Sequence, residues 1–294
     1  MDDLTNTLRS KLDGLRAKKR RIQQQSLIST QRKSKKARAK SVSNSKFRTL
    51  SSPNPFLDLL QEWKRKSEQQ NLERRIFAED VSDEEREKLF SSLPLDALDR
   101  FAWAIPDSRA LHIIKEFSPI IEIGCGKGYW CRLLREMGVD IIAYDKHLPK
   151  PVDAWTRIVQ GGIEHLSKHS NRALFLCYPD DFEESEDFSL AAECLEKYCG
   201  DTVILVGEWF GQTVLSNPGG KSIGIEAQLE LASKFHLLLS VPLPSFPTSS
   251  DSLTVWRRTR RCNVDGEWEF ADIPHEERIP VARACPTFSH LLDK

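Results

Sequence analysis

The sequence predicts an α/β protein with a mainly parallel, seven-stranded sheet that includes one antiparallel terminal strand. Two observations lead to this prediction. From residue 118 onward, apolar strand-like runs alternate with helical stretches, which is typical of a parallel sheet covered by helices on both faces. A turn with three glycines, Gly124-Cys125-Gly126-Lys127-Gly128, follows the first apolar run. Such a turn suits a site where a strand passes directly into a helix.

The strands and helices of this region are predicted from hydrophobic runs bounded by turn residues. Helices are predicted over 128–137, 188–198 and 224–234, and a third strand region ends near Gln160. The last two apolar runs are separated by too few residues for a helix, so they should form an antiparallel pair at one end of the sheet. This arrangement is Rossmann-like, and its six clearest strands are predicted at 119–124, 140–145, 173–178, 202–207, 236–242 and 252–257.

The chain divides into four segments by composition. Residues 1–50 form a basic leader, 51–117 a helical extension, 118–258 the Rossmann-like domain and 259–294 a C-terminal tail without a readable function. In the extension, Asn54 and Ser82 are predicted helix caps. A turn at 106–108 should precede a third helix.

The basic leader carries 15 Lys/Arg and three Asp, whereas the remaining residues carry 28 basic and 40 acidic side chains. Its polar, aromatic-poor composition predicts disorder. Two basic clusters, KKRR and RKSKK, resemble a bipartite nuclear-import signal, which would bind an import receptor. The alternatives are a tether for RNA or another polyanion, and a tail that is simply solvated.

Bulk composition excludes several classes of protein. The chain has 294 residues, 39% hydrophobic and 29% charged, with no apolar run of the roughly 20 residues that a membrane span needs. No secretory signal is evident. The seven cysteines form no CxxC pair, which favours reduced thiols over a disulfide framework or a zinc ribbon. We therefore expect a nuclear or cytoplasmic protein that is not secreted and does not bind membranes.

The spacing of the glycine turn distinguishes between cofactor classes. A dinucleotide fingerprint requires GxGxxG and a P-loop requires GK[ST] after a four-residue gap, and neither is present. Instead Glu122 precedes glycines at 124, 126 and 128, and Asp145 closes the next predicted strand. An acid at that place can accept hydrogen bonds from both hydroxyls of a ribose. The alternative is that the three glycines are structural and Asp145 is a helix cap.

This pattern closely resembles motif I of the class I S-adenosylmethionine-dependent methyltransferases, and the resemblance covers roughly 101–258. Within that family the chain is most similar to a little-characterised group that shares WAIP before motif I and GYW after it. Here these are residues 103–106 and 128–130. The resemblance implies the fold and the cofactor, S-adenosyl-L-methionine.

The resemblance also implies which residues form the site. The segment LFLCYPDD is similar to the [DNS]PP[YF] loop of amino-methylating enzymes, but Cys177 stands where Asn or Asp is expected and Asp180 where the second Pro falls. Tyr178, Asp180 and Glu208 are the expected catalytic residues, with Asp181 as an alternative base and Trp209 as a second aromatic that could stack on a planar substrate. Without a third ligand, His165 and His169 predict no metal site. The expected cofactor-binding residues are Glu122, Gly124, Gly126, Gly128, Tyr129, Asp145, Gly162, Ile163 and Cys177, with Glu164 as a substitute for the Asp that relatives carry at position 162.

The expected function is transfer of a methyl group from S-adenosylmethionine to an unidentified acceptor, such as nuclear RNA or protein. Two alternatives remain open. The first is a catalytically degenerate, cofactor-binding scaffold that acts as an interaction subunit, motivated by the altered LFLCYPDD loop. The second gives the main activity to the basic leader as a nucleic-acid tether.

Overall fold

The structure is a computed structural model of the 294-residue chain. It describes residues 47–70, 72–76, 78–180, 189–209, 222–264, 266, 268–279, 287 and 290. The predicted disorder of the leader and its import and polyanion-binding signals therefore lie outside the described residues, as does Asp181. The described residues belong to one compact unit. The four-segment division stays a prediction.

A seven-stranded sheet forms the centre of this unit. The strands are β1 (Ile120–Ile123), β2 (Ile141–Asp145), β3 (Val159–Gln160), β4 (Ala173–Cys177), β5 (Thr202–Gly207), β6 (Phe235–Pro242) and β7 (Ser252–Arg258). Their order in the sheet is β3-β2-β1-β4-β5-β7-β6. All neighbouring strands from β3 to β5 are parallel, and β7 pairs antiparallel with both β5 and β6. The predicted fold class is therefore confirmed. The reversed strand is the last of the sheet along the chain, inserted between β5 and β6.

The helices lie within a few residues of their predicted positions. They are α1 (Pro55–Gln70), α2 (Leu72–Ile76), α3 (Asp83–Ser91), α4 (Asp96–Arg100), α5 (Ser108–Lys115), α6 (Tyr129–Glu136), α7 (Leu190–Lys197) and α8 (Ile225–Lys234). Side chains of Ser82 and Asp107 accept hydrogen bonds from the first-turn N–H groups of α3 and α5, and Asn54 does the same for Leu57 at the start of α1. These caps satisfy backbone donors that have no partner inside a helix.

Both faces of the sheet are buried, because successive strand residues point to opposite sides. Ile120 belongs to one hydrophobic cluster with Phe56 and Trp130, whereas its neighbour Ile121 belongs to a second cluster with Leu195. The first cluster includes residues of the helical extension, and the second includes residues of α7 and α8. The continuous apolar runs of the central strands follow from this two-sided burial.

A hydrogen-bonded joint connects the helical extension to the segment after the glycine turn. The Tyr129 hydroxyl donates to Asn54 Oδ1 (2.8 Å) and accepts from the Phe56 N–H (3.2 Å). Asn54 Nδ2 donates to the Pro106 carbonyl at 2.7 Å. The Trp130 indole N–H donates to the Ala104 carbonyl at 3.2 Å. The WAIP and GYW segments, noted separately in the sequence, therefore pack against each other.

The C-terminal tail contains a two-stranded antiparallel ribbon of β8 (Arg260–Val264) and β9 (Trp268–Asp272), which the sequence reading did not predict. After the ribbon, Glu277 binds His236 Nε2 at 2.8 Å and forms an ion pair with Arg257. These contacts fasten the tail to β6 and β7. None of the helices in the described ranges is long and apolar enough to cross a membrane.

We expect Tyr129→Phe to lower the free energy of unfolding by about 1–2 kcal/mol, because it removes a buried hydroxyl that serves two polar partners. Urea denaturation with an unchanged m-value measures this loss. The matched control is Lys66→Ala on α1, whose ion pair with Glu62 is exposed and should contribute less than about 1 kcal/mol. Equal effects of the two substitutions would contradict a structural role for the Tyr129 hydroxyl.

Candidate functional site

The glycine turn between β1 and α6 uses its three glycines differently. Gly124, Gly126 and Gly128 all have positive φ, at 73°, 56° and 76°, a conformation that side chains with a Cβ disfavour. A Cβ at Gly124 would lie 3.1 Å from Leu190, and one at Gly128 would lie 3.1 Å from Thr156. A Cβ at Gly126 would meet no atom within 4 Å. Close packing thus explains two of the glycines, while Gly126 borders open space.

Asp145 at the end of β2 holds the middle of this turn. Its Oδ2 accepts a hydrogen bond from the Gly126 N–H at 2.7 Å, and its Oδ1 accepts from the His147 N–H at 2.8 Å. These bonds fix the orientation of the carboxylate. Each carboxylate oxygen can accept more than one hydrogen bond, so the group can still accept from a pair of ligand hydroxyls.

Glu122 lies on β1 just before the turn and is 2% exposed. Its Oε2 has no hydrogen-bond partner among the described residues. The pKa of Glu122 is raised to about 8, chiefly by burial; the Arg135 guanidinium lowers this pKa and the Asp145 carboxylate raises it. A buried carboxyl oxygen without a partner is costly, and a hydrogen-bond donor or cation from a ligand would remove that cost.

The predicted adenine edge follows β3. The Gly162 N–H donates to Glu164 Oε1 at 2.8 Å, and backbone N–H groups, including that of Gly162, lower the pKa of Glu164. Ile163 is half-buried and begins a 3-10 helix, Ile163–Lys168. A ligand acceptor atom that reached the Gly162 N–H would have to displace the Glu164 carboxylate.

His165 and His169 both lie against Tyr144 on β2. The His165 ring stacks on the Tyr144 ring with centroids 4.4 Å apart, and His169 Nε2 lies 3.3 Å from the Tyr144 hydroxyl. Within the part of the chain that the structure describes, no group of three potential metal ligands comes together.

At the end of β4, Tyr178 has φ of 51°, a conformation that only glycines share with it among the described residues. Its hydroxyl donates a hydrogen bond to Asp251. Burial, the Asp251 carboxylate and the Glu208 carboxylate all raise the pKa of Tyr178 far above its usual range. Tyr178 is therefore a neutral hydrogen-bond donor rather than a base. The half-buried Cys177 has its thiol pKa raised mainly by burial and also by the Glu122 and Asp251 charges.

At the end of β5, Glu208 is completely buried. Its backbone N–H donates to Ser222 Oγ at 2.7 Å, and its Oε1 accepts from the Ser250 N–H at 2.8 Å. Glu208 Oε2 has no partner among the described residues. A Cβ at Gly207 would lie 2.1 Å from Ser222 Oγ. Glycine is thus required at 207 for Ser222 to hold this strand end.

Asp180, one of the expected catalytic residues, has a carboxylate that is bonded within the protein through both of its oxygens. Its Oδ2 accepts from Ser189 Oγ (2.8 Å) and the Gly224 N–H (2.7 Å), while Oδ1 accepts from the Ala191 N–H (3.1 Å). The carboxylate thus joins the starts of α7 and α8, where backbone donors and the helix dipoles favour a negative charge. With three donors and almost no exposed surface, Asp180 has a structural role, and its catalytic role stays a prediction.

Two aromatic residues also differ from their expected roles. The Tyr129 side chain is buried among Phe56, Phe101 and Trp155, because its hydroxyl serves the joint with Asn54. Only its backbone remains for a cofactor. Trp209 packs on Trp256, with ring centroids 5.4 Å apart, instead of joining Tyr178 in an aromatic pair.

The structure adds two residues that the sequence reading did not assign to the site. Trp103 of the WAIP segment is 42% exposed and stacks on Tyr178 with a centroid separation of 6.1 Å and an interplanar angle of 25°. Asp251 directly precedes β7, and β7 starts beside the end of β5 because Ser252 pairs with Gly207. A reversed strand begins at the edge where its parallel neighbours end, and this was the available signal for Asp251.

Comparisons with known proteins give distant structural similarity. No protein-family model matches the chain, and no curated protein sequence does. A solved structure of the N-methyltransferase NodS from Bradyrhizobium japonicum WM9, with S-adenosylhomocysteine, is 12% identical over 64% of this chain and 97% of its own, with a TM-score of 0.36.

Two further solved structures are similar at the same level. The 1,6-didemethyltoxoflavin-N1-methyltransferase of Burkholderia thailandensis is 14% identical over 72% of this chain and 92% of its own, with a TM-score of 0.37. Magnesium protoporphyrin IX methyltransferase of Synechocystis PCC 6803 is 11% identical over 67% and 99%, with a TM-score of 0.34.

The pKa of Glu122 predicts how stability depends on pH. The folded protein holds this proton up to about pH 8, against an ordinary value of 4.5, so the contribution to stability is complete below pH 4.5 and is lost as pH rises through 8. Between pH 5 and 8 the free energy of unfolding should fall by roughly 3 kcal/mol, because the unfolded chain releases this proton at a lower pH than the folded protein does. Denaturation of wild-type protein and Glu122→Gln across this range measures the difference. A pH slope that is the same in both proteins would contradict a buried, protonated Glu122.

Asp180→Asn should lower the free energy of unfolding by about 2–4 kcal/mol, because an amide nitrogen would then face backbone donors in a buried site. The affinity for cofactor should change less than twofold in the folded protein. The control is Asp153→Asn, in a partly exposed ion pair with Arg48, expected to cost less than about 1 kcal/mol. Unchanged stability in Asp180→Asn would contradict the structural assignment.

Proposed function

We propose that this protein is an S-adenosyl-L-methionine-dependent methyltransferase. The observation that carries the proposal is the open space at Gly126, together with two acids of complementary kinds near the same turn. Asp145 is oriented by the Gly126 N–H at 2.7 Å and can still accept from hydroxyls. Glu122 has a buried oxygen without a partner. A ligand that carries both a ribose diol and an ammonium group satisfies both acids.

In this proposal each part of the site has a distinct task. Asp145 binds the ribose hydroxyls, Glu122 binds the amino group, and Gly126 allows the ligand to approach the backbone without a Cβ between them. Gly162 and Ile163 border the base. The bound cofactor supplies an activated methyl group on its sulfonium, so the chain mainly has to align the acceptor and exclude water.

The acceptor, the cellular location and the partners are also proposals. The hydrogen bond between the Trp130 indole and the Ala104 carbonyl joins the GYW and WAIP segments. This contact supports grouping the chain with the methyltransferases that share both segments, because it explains why the two segments occur together. The basic composition of the leader supports a nuclear or cytoplasmic protein that binds an import receptor, RNA or another polyanion. Mass-spectrometric comparison of methylated RNA and protein, in cells with and without the protein, tests the acceptor.

A cofactor-binding scaffold without activity is the second candidate function. It is favoured by the three hydrogen bonds that the carboxylate of Asp180, an expected catalytic residue, accepts within the protein. It is also favoured by Cys177, which stands where Asn or Asp is expected. Release of S-adenosylhomocysteine by the purified protein in the presence of cell extract decides between the two. Cofactor binding without any such release would favour the scaffold.

The chain offers a matched pair of glycines to test the cofactor site. Gly126→Ala should fold with a cost of about 1 kcal/mol for its positive φ and should weaken S-adenosylmethionine binding at least tenfold, because the added methyl group fills the approach to the turn. Gly138→Ala is the control, since Gly138 also has positive φ (77°) and open space around it but follows α6. Calorimetric titration measures both affinities.

The result that would overturn the proposed site is an equal affinity of Gly126→Ala and Gly138→Ala for S-adenosylmethionine. Because both variants carry a similar backbone cost, a difference in affinity cannot arise from reduced stability alone. Thermal unfolding of the two variants without cofactor verifies that their stabilities match.

A further inference from the structure

The helical extension reaches the glycine turn itself through a second joint, which Lys127, Trp155 and the end of α4 form. The Lys127 ammonium donates a hydrogen bond to the Asp99 carbonyl. The Trp155 indole N–H donates to the Arg100 carbonyl at 2.9 Å, and the Trp155 backbone N–H donates to the Lys127 carbonyl at 2.9 Å. Because Asp99 and Arg100 are neighbours, these three bonds close a ring, which we call the turn joint.

The turn joint uses acceptors that a helix leaves open at its end. Asp99 and Arg100 are the last two residues of α4, and the last carbonyls of a helix have no partner within that helix. The Lys127 ammonium and the Trp155 indole supply donors to these two carbonyls. The Lys127 side chain, although it belongs to the glycine turn, is therefore bonded to the extension.

Trp155 is fixed by packing as well as by hydrogen bonds. It is 5% exposed, and its ring stacks on Phe101 with centroids 5.2 Å apart and an interplanar angle of 13°. The Tyr129 ring meets it edge-on at 5.2 Å, and the Arg48 guanidinium lies 5.3 Å from its centre. Because the indole is held in this way, the backbone N–H that binds the turn is held with it.

The glycine turn needs bonds from outside to keep one conformation. Three of its five residues are glycines with positive φ, and glycine loses more conformational freedom on ordering than any other residue. A ligand that binds a flexible turn must also order it, which weakens binding. A turn that is already fixed avoids this cost.

Gly126 lies between two such attachments. Its own N–H donates to Asp145 at 2.7 Å, so β2 holds it from one side. On the other side, Trp155 holds the carbonyl of the next residue, Lys127. A Cβ at Gly126 would meet no atom within 4 Å, so these hydrogen bonds, rather than packing at the site, determine where its backbone lies.

We propose that Trp155 is a positioning residue for cofactor binding, which connects α4 of the helical extension to the glycine turn through Arg100 and Lys127. The extension thereby holds the Gly126 backbone in the conformation that a ligand meets. This inference rests on the proposed function, because it concerns the same site. It goes beyond that function by giving the extension a task in cofactor binding, in which Trp155 acts through the turn and does not touch the cofactor.

Two buried tryptophans provide a matched test in the full chain. Trp155→Phe removes the bond to Arg100 and leaves the backbone bond to Lys127. Trp130→Phe is the control, because Trp130 is 2% exposed and its indole also donates to the extension, at the Ala104 carbonyl, but outside the turn joint. Calorimetric titration with S-adenosylhomocysteine should show binding at least fivefold weaker in Trp155→Phe and changed less than twofold in Trp130→Phe.

Hydrogen exchange separates positioning from a loss of overall stability. The Gly126 amide, which donates to Asp145, should exchange at least fivefold faster in free Trp155→Phe than in free Trp130→Phe, as followed by NMR. Local opening of the turn gives this difference, whereas a purely structural role would destabilise both variants alike and leave exchange at Gly126 equal.

A second pair of variants keeps the test valid if Trp155→Phe fails to fold. Lys127→Met removes the bond to the Asp99 carbonyl and should weaken S-adenosylhomocysteine binding at least threefold. Lys127→Arg keeps a donor at that place and should restore the affinity to within twofold of wild type. Equal affinities of the two tryptophan variants, equal exchange at Gly126, or wild-type affinity in Lys127→Met would each overturn the proposal.

Failure of this proposal and failure of the proposed function give different results. If the wild-type protein does not bind S-adenosylhomocysteine, the proposed function fails, and exchange at Gly126 in the free variants still decides whether the turn joint fixes the turn. If the wild-type protein binds while Trp155→Phe and Trp130→Phe do not differ, only the positioning role fails.

Discussion

The parallel register of β2, β1, β4 and β5 determines where every candidate functional group lies. Because these strands run in one direction, their carboxyl ends share a single edge of the sheet. The glycine turn, Asp145, Tyr178 and Glu208 each follow directly from a strand end. The reversed β7 contributes to the same edge from its beginning, and so brings Asp251 beside Tyr178. Candidate functional groups from five strands therefore lie along one edge of the sheet.

Buried carboxyl oxygens without a partner connect this architecture to function. Glu122 and Glu208 are both buried, and each has one carboxyl oxygen without a partner among the described residues. Asp180, on the same edge, has three donors and no unmet acceptor of this kind. The difference separates an acid whose two oxygens are both bonded within the fold from two acids that each keep an acceptor oxygen without a described partner. One of these two acids lies on β1 just before the glycine turn, and the other follows the end of β5.

The fold was predictable because its strands and helices depend on local hydrophobic pattern and turn chemistry. The caps at Asn54 and Ser82 and the strand end at Asp145 belong to this class. The contacts of Asp180 and Tyr129 could not be predicted, because their partners, the start of α8 and the Asn54 side chain, are remote in sequence. Nothing near Asp180 in the chain indicates that two helix starts converge on it. Asp251 and Trp103 gain their roles only through the sheet order and the packing of the extension.

Proton release on cofactor binding is the most direct test of the central claim that Glu122, Gly126 and Asp145 form a site for S-adenosylmethionine. Calorimetric titration at pH 7 in buffers of different ionisation enthalpy counts the protons. Glu122, with a pKa of about 8 in the free protein, would ionise when it binds the cofactor's amino group. We predict release of about one proton per cofactor, and release near zero in Glu122→Gln. Binding heats that are independent of buffer in the wild-type protein, or the absence of binding, would contradict the account.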